Sequence, residues 1–234
     1  MILSVKNLTK KFGGVTAVHN CSFGVKTNSL TGLIGPNGSG KTTMFNLILN
    51  HFRPDTGSVH FKGELITGLK PFLLARRGIG RTFQRVRVFR RLTLMENLKV
   101  ASLPLHEKMN SNHFHKLLKL VGLTQTIHEL ADNLSYGEQK LLELAMALLP
   151  DPKLLLLDEP VAGLNPNMVT QFVELIRDLK KTGKTLILIE HNVPFITSCC
   201  EDIIVLDRGE VIAQGTPEDI QNNAKVIEAY LGGA

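Results

Sequence analysis

One segment limits what this chain can fold into more than any other: Gly35-Pro36-Asn37-Gly38-Ser39-Gly40-Lys41-Thr42. It fits G-x-x-x-x-G-K-[ST] at every fixed position. It stands between an apolar run, Ser29-Leu30-Thr31-Gly32-Leu33-Ile34, and the helical pattern of Met44, Phe45, Leu47 and Ile48. Glycines let the backbone curl until successive N–H groups face one anion, and a helix that starts there adds its partial positive charge. Lys41 is expected on the β- and γ-phosphates and the Thr42 hydroxyl on Mg²⁺, with Thr43 beside it on the nucleotide. A loop of this kind needs a buried strand before it and a helix after it. The chain is therefore expected to be α/β.

The rest of the sequence supports that architecture. Leu154-Leu155-Leu156-Leu157 and Leu186-Ile187-Leu188-Ile189 are apolar on both faces, as strands are when helices cover a parallel sheet. Between them Val169, Phe172, Ile176 and Leu179 make one helical stripe, with Asn165 as the expected cap and Pro166 at the first turn. The expected strands run over 153–158, 184–190 and 202–206, with a helix over 167–181. The first third reads as short strands, including Ser58-Val59-His60-Phe61 after the Pro54-Asp55-Thr56-Gly57 turn. Residues 92–149 switch to helical spacing. The expected organisation is one domain over 1–234, with a mainly parallel core and an N-terminal antiparallel β subdomain in 1–91 and 150–234, and a helical insertion over 92–149. No apolar run approaches the ~18 residues of a spanning helix, and no secretory leader is evident at Met1. Cys21, Cys199 and Cys200 are expected to be reduced, buried small hydrophobes.

The two apolar runs end in acids and a histidine: Asp158-Glu159 after the first, Glu190-His191 after the second. Ligands of open α/β sheets bind beyond the carboxyl ends of strands, so these residues are expected to converge on the phosphate loop. Asp158 suits the Mg²⁺ sphere, Glu159 a general base or orienter for the attacking water, and His191 a donor to the γ-phosphate.

Leu134-Ser135-Tyr136-Gly137-Glu138-Gln139 reads locally as a capping box before an apolar helix. About twenty residues ahead of Asp158, it also resembles the LSGGQ signature of ABC ATPases. The resemblance covers essentially the whole chain. It implies that Phe12 stacks on adenine and that Gln84 is the Q-loop glutamine, near the metal and the reacting phosphate. Asp158 and Glu159 match Walker B and the catalytic glutamate, and His191 matches the switch histidine. It further implies two chains meeting head to tail, so that Ser135 and Gly137 touch nucleotide held by the partner. Two positions depart from the pattern: Tyr136 replaces a signature glycine, and Asn165 stands where many members carry aspartate, which leaves helix capping as its safer reading.

Within that family, Gly80-Arg81-Thr82-Phe83-Gln84, Ala162-Gly163-Leu164-Asn165-Pro166, Glu190-His191-Asn192 and Ala229-Tyr230-Leu231-Gly232 look like the ATPases of branched-chain amino-acid importers. Urea importers and the lipopolysaccharide-export ATPase are close alternatives. The resemblance implies ATP and Mg²⁺, transmembrane permease subunits, a second ABC ATPase chain of the same or a related sequence, and a peripheral place on the cytoplasmic face of the inner membrane. The net charge of +6 and the arginines at 76, 77, 81, 85, 87, 90 and 91 suit an acidic partner, nucleic acid and lipid included. Val86, Val88 and Phe89 among those arginines fit a protein groove better than a nucleic-acid track, so direct nucleic-acid contact is not expected. A soluble mechanochemical ABC protein would carry a long coiled-coil insertion or tandem cassettes. A GTPase would carry N-K-x-D. The chain has none of these.

Overall fold

The computed structural model of the protein describes residues 1–105, 109–124 and 127–231. Gly232, the last residue of the C-terminal motif, lies outside them. A six-stranded sheet forms the centre, in the order β10-β9-β3-β8-β7-β6: β3 is Leu30–Ile34, β6 Ile79–Arg81, β7 Leu154–Asp158, β8 Thr185–Ile189, β9 Asp202–Asp207 and β10 Glu210–Gly215. Its strands pair parallel except β10, which runs antiparallel to β9.

Alternation divides the apolar side chains of this sheet between two cores. Leu155, Leu157, Leu186 and Leu188 face one cluster with Phe172 and Ile176. Leu154, Leu156, Ile187 and Ile189 face the other with Met44 and Phe45. The strands are buried on both sides, which is why they read as unbroken apolar runs rather than alternating ones.

A second sheet, order β2-β1-β4-β5, is antiparallel and built from β1 (Leu3–Phe12), β2 (Val15–Val25), β4 (Thr56–Phe61) and β5 (Glu64–Leu65). Here the expectation of short strands is corrected. β1 and β2 are 10 and 11 residues long. Register shifts between Val5 and Lys11 break the period-2 pattern that would have marked them.

The helices are α1 (Lys41–Ile48), α2 (Pro71–Arg76), α3 (Leu94–Ser102), α4 (Ser111–Leu120), α5 (Tyr136–Leu148), α6 (Pro166–Lys181), α7 (Val193–Cys199), α8 (Pro217–Gln221) and α9 (Ala224–Leu231). Asn165 caps α6, its side chain accepting the Met168 N–H at 3.0 Å, as expected from the sequence. The buried face of α6 includes Leu175 beside Phe172, Ile176 and Leu179, while Val169 is only half-buried. All three cysteines are free and buried.

The arginine-rich stretch is not one solvated face. Arg81 and Arg87 both lie over the Phe83 ring, at 4.0 and 3.9 Å from its centroid. Arg77 pairs with Glu64 and Arg90 with Asp132. Val88 packs on the core, whereas Phe89 is 49% exposed. Asn97, fully buried on α3, accepts the Phe89 N–H at 2.8 Å and donates to the carbonyls of Phe89 and Thr93 at 3.0 and 2.9 Å. Asn97 thus holds the segment from beneath at Phe89, through both its N–H and its carbonyl.

Candidate functional site: a phosphate loop and four adjacent strand ends

Four neighbouring parallel strands, β3, β8, β7 and β6, end on the same edge. The phosphate loop leaves β3, His191 follows β8, Asp158-Glu159 closes β7 and Gln84 follows β6. Residues more than a hundred positions apart become neighbours because the strands that deliver them are neighbours.

The loop opens with Gly35 at φ 153°, where a Cβ would lie 2.0 Å from the Leu206 carbonyl oxygen of β9. Only glycine fits there, because the obstacle is backbone. α1 then starts at Lys41 with no side-chain cap and no acid in its first turn. Its leading N–H groups are left for a ligand. Lys41 Nζ donates to the Gly35 and Pro36 carbonyls at 2.8 and 2.9 Å. Burial pulls its ammonium below the ordinary range, against the opposing charges of Glu159 and Asp158. Ser39 Oγ is buried in the loop without a hydrogen-bond partner. A bare helix start, a lysine held over the loop and an orphaned hydroxyl make a cradle suited to phosphate.

Facing the loop, Glu159 has its carboxylate held at both oxygens. Gln84 Nε2 donates to Oε2 at 3.2 Å, and His191 Nε2 lies 2.8 Å from Oε1. The cleft between them is about 290 Å³ and is lined by Asn37, Gly38, Gly40, Lys41, Thr42 and Thr43 on one side, with Ala17, and by Gln84, Glu159 and His191 on the other. Asp158 is 4% exposed, and burial raises its carboxyl above the usual range, with Arg81 pulling the other way. Phe12 stands at the end of β1, 42% exposed, edge-on to Phe52 at 5.1 Å between centroids. It is outside the lining of the cleft.

Ser135 and Gly137 lie apart from that cleft, at the start of α5. The capping box is present as read: Ser135 accepts the Glu138 N–H, and Glu138 Oε2 accepts the Ser135 N–H at 2.8 Å. Gly137 is buried, and a Cβ there would meet the Met168 thioether at 2.3 Å, so glycine also serves packing within the chain.

Three residues of this region make hydrogen bonds that no spacing along the chain discloses. Thr82 Oγ1 accepts the Asp158 N–H at 3.4 Å. Glu190 is 3% exposed and accepts the Val161 N–H at 2.9 Å. Lys140 is 5% exposed and donates to the Glu159 carbonyl at 2.6 Å. Each is an ordinary polar residue on, or just after, an element whose apolar pattern attracts the attention.

Fold and site together define a P-loop nucleoside triphosphatase. Residues 18–162 match the ABC transporter family, and residues 210–234 match the family described as branched-chain amino acid ATP-binding cassette transporter. The high-affinity branched-chain amino acid transport ATP-binding protein LivG of Escherichia coli (strain K12) is 38% identical over 254 residues, covering 100% of this chain and 98% of its own length. BraF of Pseudomonas aeruginosa, of the same description, is 39% identical with the same coverage. The lipopolysaccharide export system ATP-binding protein LptB of Haemophilus influenzae is 36% identical, over 99% of this chain and 97% of its own. Among solved structures, the ADP conformation of MJ1267, an ATP-binding cassette of an ABC transporter, superposes with a TM-score of 0.91 at 31% identity, covering 99% of this chain and 98% of that one. A dimeric post-hydrolysis state of the cassette MJ0796, bound to ADP and Pi, gives 0.82 at 27% identity, covering 92% and 98%. The chain belongs to the ABC transporter family, as an ATP-binding subunit that hydrolyses ATP. Among the described residues no helix is long and apolar enough to cross a membrane.

Proposed function

We propose that this chain works as one of two ATPase subunits on the cytoplasmic face of a membrane, driving a permease that takes up branched-chain or other hydrophobic amino acids. The observation that carries the paired reading is the separation of the two half-sites. Glu159 sits between Gln84 and His191 over the phosphate loop, whereas Ser135 opens α5 outside that cleft. The dimeric form of MJ0796 with ADP and Pi supports it. The cargo class rests on the names of LivG and BraF and on the C-terminal match. The 36% identity to LptB favours lipopolysaccharide export as a second reading.

In this reading residues 35–43 bind the triphosphate and Phe12 packs on adenine. Ser135 and Gly137 of one chain close over the nucleotide of the other. Glu159 takes the proton of the attacking water, and its two hydrogen-bond partners aim it. His191 and Gln84 then turn from Glu159 to the γ-phosphate when nucleotide enters. The Thr42 hydroxyl, the Asp158 carboxylate and the Gln84 amide oxygen are an all-oxygen donor set, suited to Mg²⁺. Among the described residues no group of three or more His, Cys, Asp or Glu would hold a metal alone, in keeping with an ion that arrives on the nucleotide. Bound there, it would neutralise phosphate charge. We assign residues 1–91 and 150–234 to the core and β subdomain and 92–149 to the helical subdomain. Phe89 and its arginines, seated on Asn97, are the proposed permease contact.

The test uses Glu159→Gln expressed in its own membranes. ATP is expected to bind and to hold a dimer while hydrolysis stalls, by about 10²- to 10³-fold. Solubilised membranes are expected to yield the trapped chain with integral membrane subunits. Full turnover would remove Glu159 as the base, and recovery with ribosomes or DNA alone would overturn the transporter reading.

A further inference from the structure

Lys140 lies one turn into α5, the helix whose first residues follow Ser135. A lysine 5% exposed is uncommon, because an ammonium taken from water must recover its hydrogen bonds. Burial pulls its ammonium below the ordinary range, against the opposing charges of Glu190, Glu143, Glu159 and Asp158. Yet its hydrogen bond goes to none of these carboxylates. It goes, at 2.6 Å, to the backbone carbonyl of Glu159.

That carbonyl belongs to an unusual residue. Glu159 has φ 49°, in the left-handed region that non-glycine residues seldom enter. The chain turns sharply there, between buried Asp158 and buried Pro160, and the turn decides where the carboxylate points. A charged donor on the Glu159 oxygen fixes the plane of the next peptide and so the turn itself.

Two further contacts join the start of α5 to the loop after Glu159. The Tyr136 ring packs on Gly163, where a Cβ would lie 3.2 Å from Cε1, and the same ring lies 5.4 Å from Lys140 Nζ. Gly137 fits against Met168 and Leu164. The tyrosine that departs from the signature pattern is therefore part of this junction, under the ammonium and against the loop. A methionine or leucine would fill the Lys140 position without the cost of burying charge. Packing alone gives no reason for a lysine, whereas a rigid link to the Glu159 backbone does.

We propose that Lys140 is a positioning residue that ties the signature helix to the backbone of Glu159, so that a nucleotide held against Ser135 from the second chain sets the aim of the carboxylate in this chain's own site. The inference rests on the roles given to Ser135 and Glu159 above. It makes α5 a lever between the two ATP sites of the pair, with Lys140 as its inner contact.

The test is a double-mutant cycle on the full chain, reading steady-state ATPase, affinity for a fluorescent ATP analogue, the ATP-dependent dimer and the melting temperature. Lys140→Met is expected to lower kcat by about 10- to 100-fold, with KM, analogue affinity and melting temperature nearly unchanged. Lys140→Arg, which keeps a charged donor, is expected to recover at least about a third of wild-type turnover. Ser135→Ala should slow the wild type yet add little in the Lys140→Met background, because both act through one path. Wild-type turnover in Lys140→Met overturns the proposal, and so does an additive cycle. A loss of activity that follows the melting temperature and is not recovered by arginine also overturns it, in favour of a structural role. Glu159→Gln in the same series separates the two levels: full turnover there removes the base and this inference together, whereas an inactive Glu159→Gln beside an active Lys140→Met removes the inference alone.

Discussion

The phosphate loop and the signature segment each end in a helix N-terminus, and the two are finished in opposite ways. α1 begins bare: Gly40 offers no side-chain cap, and no acid stands in the first turn. α5 begins closed: Ser135 and Glu138 satisfy each other's backbone in a capping box. An uncapped start retains its partial positive charge for a ligand, whereas a carboxylate at the third helical position has already spent part of it. The first helix is thus built to take a triphosphate by itself. The second is stable without one and has only the Ser135 hydroxyl and its exposure to offer a nucleotide brought by another chain. ATP affinity should belong to the first helix and turnover to both.

Lys41→Ala is the strongest way to break that division. It removes the ammonium now held by the Gly35 and Pro36 carbonyls, whose transfer to phosphate oxygens supplies charge inside a half-buried cleft. ATP affinity of the single chain is expected to fall by about 100-fold or more, as roughly 3 kcal/mol of a charge-assisted contact is lost. Equilibrium titration with a fluorescent ATP analogue measures it. If affinity stays within a few-fold of wild type, α1 is not the principal phosphate contact.

Ser135→Ala acts on the other helix and should separate the two functions. The cap is worth about 1 kcal/mol of stability, a small loss that a denaturant titration reads. Single-chain ATP affinity should not move, while turnover and the ATP-dependent dimer should fall together by about 10-fold. A variant that loses affinity without losing the dimer would place Ser135 in its own chain's site and erase the comparison.

The same contrast explains what the sequence discloses. The phosphate loop, Asp158-Glu159 and His191 are legible because each rests on local backbone chemistry: a glycine pattern with fixed spacing, or an acid at the end of an apolar run. The capping box is legible for the same reason. The strands β1 and β2 are obscured by bulges, and β6 by having only three residues, Ile79–Arg81. Lys140, Asn97 and Glu143 are hidden more deeply. Their roles depend on which distant carbonyl or N–H the fold brings to a single polar atom, and no spacing along the chain encodes that. Gln84 enters the site by family resemblance only, because nothing around it marks a ligand until β6 is laid beside β7, whereas Phe12, marked by the same resemblance, stands outside the cleft lining.

Glu143 offers the finest test of how the α5 half is held. It lies on α5 with 5% exposure and accepts the Arg87 N–H at 3.0 Å, anchoring the segment that follows Gln84. Burial pushes its carboxyl up to about 7, against the N–H groups of Arg87 and Phe83 and the charges of Lys140 and Arg87. Asp158 and Glu190 are raised by burial as well. A carboxyl raised on folding binds its proton more tightly in the folded chain, so its contribution to stability is complete below the unfolded value near 4.5 and is lost as pH rises through about 7. Nucleotide-free protein should therefore lose stability from about pH 5 to 7 and then level off. Glu143→Gln keeps an oxygen for the Arg87 N–H and cannot ionise, so its decline across that window should be shallower by about 2 to 3 kcal/mol. Denaturant midpoints at closely spaced pH values give the slope. An unchanged slope would mean that Glu143 stays ionised through the window, with Lys140 neutralising it, and would turn the ammonium from a backbone link into the partner of a buried ion pair.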